Sequence, residues 1–172
     1  MQGNIDLEKS NKIQQRVENN ASSIEQIVDE IIKPYCEELD NYVDFIKGIL
    51  KDVDNPPTAQ ELDDFCINLS TYLYYAGGMQ ERLGIKDDIA RAVYKEVYHS
   101  HRDSLEKGTV ADKDSLAELA SQQEALVSMA YKRAYGIMKA KVSAGQELLG
   151  SIKKIISRRM TEMELTRIGG NR

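Results

Sequence analysis

Residues Ala130–Ile155 read AYKRAYGIMKAKVSAGQELLGSIKKI, and the spacing inside this stretch decides the fold class. With Ala130 set at zero and each residue advanced by about 100°, Ala134, Ile137, Ala144, Leu148, Ile152 and Ile155 all fall within about 40° of it. Such a stripe marks an amphipathic helix. No proline interrupts the chain from Asp112 to Arg167, and Leu116, Leu119 and Leu126 carry the stripe upstream. The pattern predicts one long basic helix over 112–168, about 80 Å long if uninterrupted. Gly136, Gly145 and Gly150 each weaken it by roughly 1 kcal/mol relative to alanine, and mark where it would kink or break. A helix of that length outruns the cover of one small domain. Its apolar side, represented by Leu126, Ile137, Leu148, Ile152 and Ile155, is therefore expected to meet another copy of the chain in a homo-oligomer.

Working outward, the rest of the chain is also helical in pattern, and no window alternates apolar and polar residues as a strand would. Ile24, Val28, Ile31, Tyr35, Leu39, Tyr42, Ile46 and Ile49 recur at helical steps, which places an acidic helix over 21–55. Pro34 removes a backbone donor inside that run and is expected to kink or split it. Residues 1–20 are polar without an apolar stripe and are read as an arm. Asp54-Asn55-Pro56-Pro57 is a break. Thr58-Ala59-Gln60-Glu61 then reads as a capping box. Leu62, Phe65, Leu69, Tyr72, Leu73, Ala76, Met79 and Leu83 form the face of the helix that follows, with Gly84 as its stop. A further helix from Asp87 to Leu105, with Ile89, Val93 and Val97 inward, completes a helical pair over 58–106. Lys107-Gly108-Thr109-Val110 is a turn, and the tail Ile168–Arg172 is expected to fray. The fold class is all-α: helical hairpins or a bundle with a long C-terminal amphipathic helix.

Charge is unevenly spread. Residues 1–70 hold six Lys/Arg against fifteen Asp/Glu, a net of −9, whereas residues 130–172 hold ten against three, a net of +7. The overall −5 conceals a basic end suited to an anionic partner. Phe65–Gln80, the longest uncharged run, is too short and too polar to span a bilayer, so no membrane partner is expected. Met1–Gln15 lacks a cationic start and an apolar core, so no secretory leader is read there. Cys36 and Cys66 have no metal-ligand spacing and fit core thiols of a reducing cytoplasm.

Several groups of residues could carry chemistry. Lys132, Lys139, Lys153 and Lys154 lie opposite the apolar stripe of the C-terminal helix, at roughly 140–240°; Tyr135 accompanies them and Arg133 and Arg158 flank the stripe. Lysines along one face with tyrosine interleaved suit a single-stranded nucleic-acid backbone and base stacking. A solvated lysine face is the bland alternative. Lys141 and Arg159 fall on the apolar side, where snorkelling, pairing with acidic residues across an interface, or a helix break between Ala140 and Ala144 would each account for them. Glu37 with Asp40, and Glu61 with Asp64, are Glu-x-x-Asp pairs on helices. They resemble the magnesium-holding pattern of all-α nucleotide pyrophosphatases. His99 and His101 point about 200° apart on a helix and cannot share a metal. No nucleophile–base pair or phosphate-binding glycine motif is present, so no catalytic residue, metal or cofactor is expected.

The run Gly108-Thr109-Val110-Ala111-Asp112-Lys113-Asp114, followed by Tyr131-Lys132-Arg133-Ala134-Tyr135 and Ser151-Ile152-Lys153-Lys154-Ile155, resembles small all-helical proteins of tailed phages. It is similar to the UvsY-type recombination mediators over about residues 70–168. The resemblance implies a non-enzymatic cytoplasmic oligomer that binds single-stranded DNA and helps to load a RecA-like recombinase past single-strand-binding protein. A helical virion or host-interaction adaptor is the second expectation, and the pyrophosphatase the third.

Overall fold

The computed structural model describes residues 7–169. Among the described residues there are four helices and no strand: α1 Leu7–Lys51, α2 Ala59–Ser104, α3 Val110–Ala120 and α4 Gln122–Gly169. The chain is all-α with a long C-terminal helix, as the periodicity predicts. The first six residues of the expected arm and Gly170–Arg172 of the expected frayed tail lie outside the described residues.

Local chemistry sets the helix ends. Thr58 Oγ1 accepts from the Glu61 N–H at 3.2 Å, and Glu61 Oε2 accepts from the Thr58 N–H at 2.6 Å, closing the expected capping box of α2. An equivalent box, not anticipated, opens α3: Thr109 Oγ1 accepts from the Asp112 N–H at 3.2 Å and Asp112 Oδ2 from the Thr109 N–H at 3.1 Å. The turn before it needs Gly108, whose φ of +118° suits a residue without Cβ.

Four expectations are corrected. Residues 7–20 are helical, because Leu, Glu, Lys and Gln are good helix formers. Gly84 does not stop α2, which runs through it, so 58–106 is one helix rather than a pair. The C-terminal run is broken at Ser121 and at none of its glycines. Ser121 is fully buried, and both its N–H and its Oγ turn back to the Ala117 carbonyl, at 3.0 and 2.8 Å. A side chain that satisfies the preceding turn in this way competes with continuation of the ladder. Lastly, α1 does not split at Pro34 but runs through it as one helix. An internal proline costs about 3 kcal/mol, which burial of Ile32, Cys36 and Leu39 around it offsets.

The chain divides into two compact units. The first comprises residues 1–33 and 83–135. Its buried apolar side chains are few and mostly small: Val28, Ile32, Leu83, Ala117, Ala130 and Ala134. Tyr135 closes against Gly84, where a Cβ would lie 3.2 Å from the ring. Arg102 Nε donates to Asp114 Oδ1 at 2.5 Å and the Tyr98 hydroxyl to the same oxygen at 3.2 Å, fastening α3 to the end of α2. Ile89 and Val93, expected inward, are exposed, while Asp87 is buried and accepts from Arg91 Nη2 at 2.7 Å. The uninterrupted register of α2 causes this exchange, since four-residue steps from Leu83 lead to Asp87 rather than Ile89.

The second unit comprises residues 34–82 and 136–172, with segments of α1, α2 and α4 around a larger core. Ile46, Leu62, Leu69, Met138 and Ile152 are fully buried. Every α2 position expected inward from Leu62 to Ala76 is buried or half-buried. Gly145 lets α4 approach closely: a Cβ there would sit 2.8 Å from Leu73 Cδ2 and 3.8 Å from Leu39 Cδ1. The Tyr42 ring lies 4.8 Å from Tyr72 and 5.9 Å from Phe45. Cys36 is buried, and burial together with a hydrogen bond to Asp40 pushes its thiol up to about 11. Cys66 is half-buried and its thiol is also raised by burial.

Candidate nucleic-acid interface

The basic face begins with the register of α4. Ala134, Met138, Val142, Gly145 and Ile152 are buried, whereas Ile137 and Ala144 are exposed. The buried stripe thus centres about 60° round the helix from the expected line, past Lys141 and toward Met138. Met138 and Val142 take the places expected of Ile137 and Ala144 because Gly145 draws that side of the helix against Leu73 and Leu39.

This rotation re-sorts the candidate residues. In the first unit, Lys132 and Arg133 are exposed, and Tyr135 is half-buried with its ring edge against Gly84. In the second unit, Lys139, Lys153, Lys154 and Arg158 are all exposed. Arg158 Nε lies 3.7 Å from Glu162 Oε1, an exposed pair on one helix turn that contributes little. Lys153 is close enough to Cys66 for its charge to oppose the rise in that thiol's pKa. Lys132, Lys139, Lys154 and Arg133 thus point away from the buried stripe; Lys153 and Tyr135 sit on its flank.

The two misplaced cations find partners inside the second unit. Lys141 Nζ donates to both Asp40 oxygens, at 2.8 and 2.7 Å, and this carboxylate holds the ammonium above its ordinary range against the lowering effect of burial. Arg159 Nη1 donates to the Pro57 carbonyl at 2.5 Å, tying α4 to the turn between α1 and α2. Of the alternatives at these positions, acidic pairing within the chain describes Lys141, and a backbone carbonyl holds Arg159. Sequence reasoning missed the partners because each lies about a hundred positions away.

The expected oligomer residues separate. Leu126 and Ile137 are exposed, Leu148 and Ile155 are half-buried, and Ile152 is enclosed by its own unit. The argument from helix length weakens, since α1 and α2, at 45 and 46 residues, are nearly as long as the 48-residue α4, yet Leu116, Leu119, Leu126 and Ile137 of the stripe stay uncovered. The first unit exposes Ile85, Ile89, Leu116, Leu119 and Val127. A groove of about 390 Å³ runs there between α2 and α4, lined by Ile89, Val93, Val127 and Tyr131 with Lys86 and Glu124.

The carboxylate pairs have other work. Asp40 is engaged by Lys141, and Glu61 by the cap at Thr58. Among the described residues, no three His, Cys, Asp or Glu side chains gather closely enough to hold a metal ion. His99 and His101 are exposed near the end of α2. No described helix is long and apolar enough to cross a membrane.

Fold and face together define a class: an all-α protein whose C-terminal helix exposes cations in each unit, Lys132 and Arg133 in the first and Lys139, Lys153, Lys154 and Arg158 in the second. No protein-family model, curated protein or solved structure matches the chain.

Proposed function

We propose that the chain binds single-stranded DNA through the exposed face of α4 and self-associates, acting as a recombination mediator. Lys132, Lys139, Lys153 and Lys154 contact phosphates, with Arg133 and Arg158 at the edges. The observation that carries this reading is the exposure of Lys139, Lys153, Lys154 and Arg158 on the α4 segment of the second unit, with Lys132 and Arg133 exposed on that of the first, within residues 130–172 that hold ten Lys/Arg against three Asp/Glu. Such a face neutralises successive phosphates and releases their counterions. Tyr135 offers a ring for stacking only from the side not closed by Gly84. Loading of a RecA-like recombinase past single-strand-binding protein rests on the resemblance of the chain to the mediator family.

A second reading is favoured by one observation, the large apolar side chains that the first unit exposes at its surface, Leu116, Leu119 and Val127 among them. That surface suits an adaptor that joins proteins rather than binding DNA.

A salt titration with an oligonucleotide separates the two. Log affinity is expected to fall against log salt with a slope of about −0.7 per phosphate contacted, near −3 for four lysines. Replacing Lys132, Lys139, Lys153 and Lys154 by Gln should flatten the slope while helicity is kept, because all four side chains are exposed. A quadruple variant that retains the parent's affinity and slope would leave the lysines a solvated face and the adaptor reading in possession.

A further inference from the structure

We infer that a small pocket between α1 and α2 of the second unit docks a single lysine or arginine side chain presented by a basic segment of a partner protein. The pocket measures about 170 Å³ and is lined by Tyr35, Glu38, Tyr72, Tyr75 and Met79, with Glu37 beside Glu38. That volume is below the roughly 300–1,000 Å³ of sites for whole small molecules and matches the end of one side chain. Its chemistry is two-sided. The tyrosine rings, Met79 and Ala76 suit the aliphatic stem of a long side chain, while the rings and the Glu38 carboxylate attract a cationic head.

Two observations make the site ready and selective. The Tyr72 ring lies tilted against Tyr42, with ring centres 4.8 Å apart. Tyr75 is braced edge-on by Tyr74, with ring centres 5.5 Å apart; both remain largely exposed, at 63% and 79%. Around the pocket, residues 34–82 carry three Lys/Arg against ten Asp/Glu. The α4 segment of the same unit, residues 136–172, carries eight Lys/Arg against three Asp/Glu, so selectivity for a cation rests on the Glu38 carboxylate at the pocket itself. The acidic half of the chain thus receives a role independent of the basic helix.

The test uses the full chain with labelled methionine methyls and tyrosine rings, titrated with a blocked peptide bearing one arginine between glycines. Arginine and lysine peptides should shift Met79 and Tyr75 with a millimolar dissociation constant, and the citrulline peptide, alike in shape but uncharged, should not. Tyr75→Leu should weaken binding about fivefold while Tyr75→Phe retains it, as ring electrostatics requires. Glu38→Gln should weaken it as well, with the circular dichroism spectrum unchanged. Equal shifts from the citrulline peptide would overturn the proposal. So would guanidinium chloride binding as tightly as the arginine peptide, which would assign the pocket to small free cations. Neither result bears on oligonucleotide binding by α4.

Discussion

One hydrogen atom at position 145 governs how near α4 comes to its neighbours in the second unit. A Cβ there would stand 2.8 Å from Leu73 Cδ2, and Leu73 is itself buried. Gly145→Val should therefore lower stability by roughly 1–3 kcal/mol through overpacking. Gly78, with nothing within 4 Å of its would-be Cβ, is the contrast: Gly78→Ala should raise stability by up to about 1 kcal/mol through helix propensity and a stiffer unfolded chain. Urea unfolding of the two variants gives opposite signs if close packing, not composition, explains Gly145. In the sequence both are simply glycines inside helical patterns. Their difference emerges only when Leu39 and Leu73, far off in the chain, are placed against α4. Lys141 was visible as misplaced for the same reason that its partner Asp40 was not: the helical count is local and the ion pair is not.

At the scale of elements, what the sequence discloses is what lies within a turn or two. The Thr58 cap is a pair three residues apart and was legible; the Thr109 cap has the same form but was absorbed into a turn. The apolar face of α2 was legible from Leu62 to Ala76 because its core is large and regularly spaced. The stripe of α4 was read about 60° off, since Ala, Gly and Met alternatives sit on neighbouring lines and packing chooses among them. The caps also set an acid limit. Hydrogen bonds from Thr58 hold Glu61 below the usual carboxylate range, those from Thr109 do so for Asp112, and Arg102 does so for Asp114. A carboxylate depressed in the folded chain contributes stability above its unfolded pKa, about 4, and loses it as pH falls through the lower folded value. Stability should thus be level from neutrality to about pH 5 and decline below pH 4. Thr58→Ala and Thr109→Ala should each cost about 1 kcal/mol at pH 7 and less at pH 3, as urea midpoints at the two pH values will report.

For the whole molecule, the expected partner copy must be sought at the exposed upstream part of the stripe and not at Ile152. Ile152→Asp would strike the core of the second unit and should unfold it, with a loss of helicity, rather than separate intact subunits. Leu119 and Val127 are exposed at 69% and 49%, so Leu119→Asp with Val127→Asp should leave the monomer folded. If these positions join copies, light scattering at micromolar concentration should show an oligomer for the parent and a monomer for the double variant. A monomeric parent would remove self-association from the functional proposal while leaving the DNA titration to stand alone. Composition could announce the charge division between the chain's halves, yet not which exposed apolar residues share a surface.

The hold of Arg159 on the Pro57 carbonyl also fixes where the chain becomes vulnerable. From Met160 to Ile168 every side chain of α4 is exposed, so this stretch can unwind at the cost of its own backbone hydrogen bonds alone. A protease meeting the protein would cut within Met160–Ile168 and slow at Arg159, where the helix is anchored, leaving the cations from Lys132 to Lys154 on one fragment.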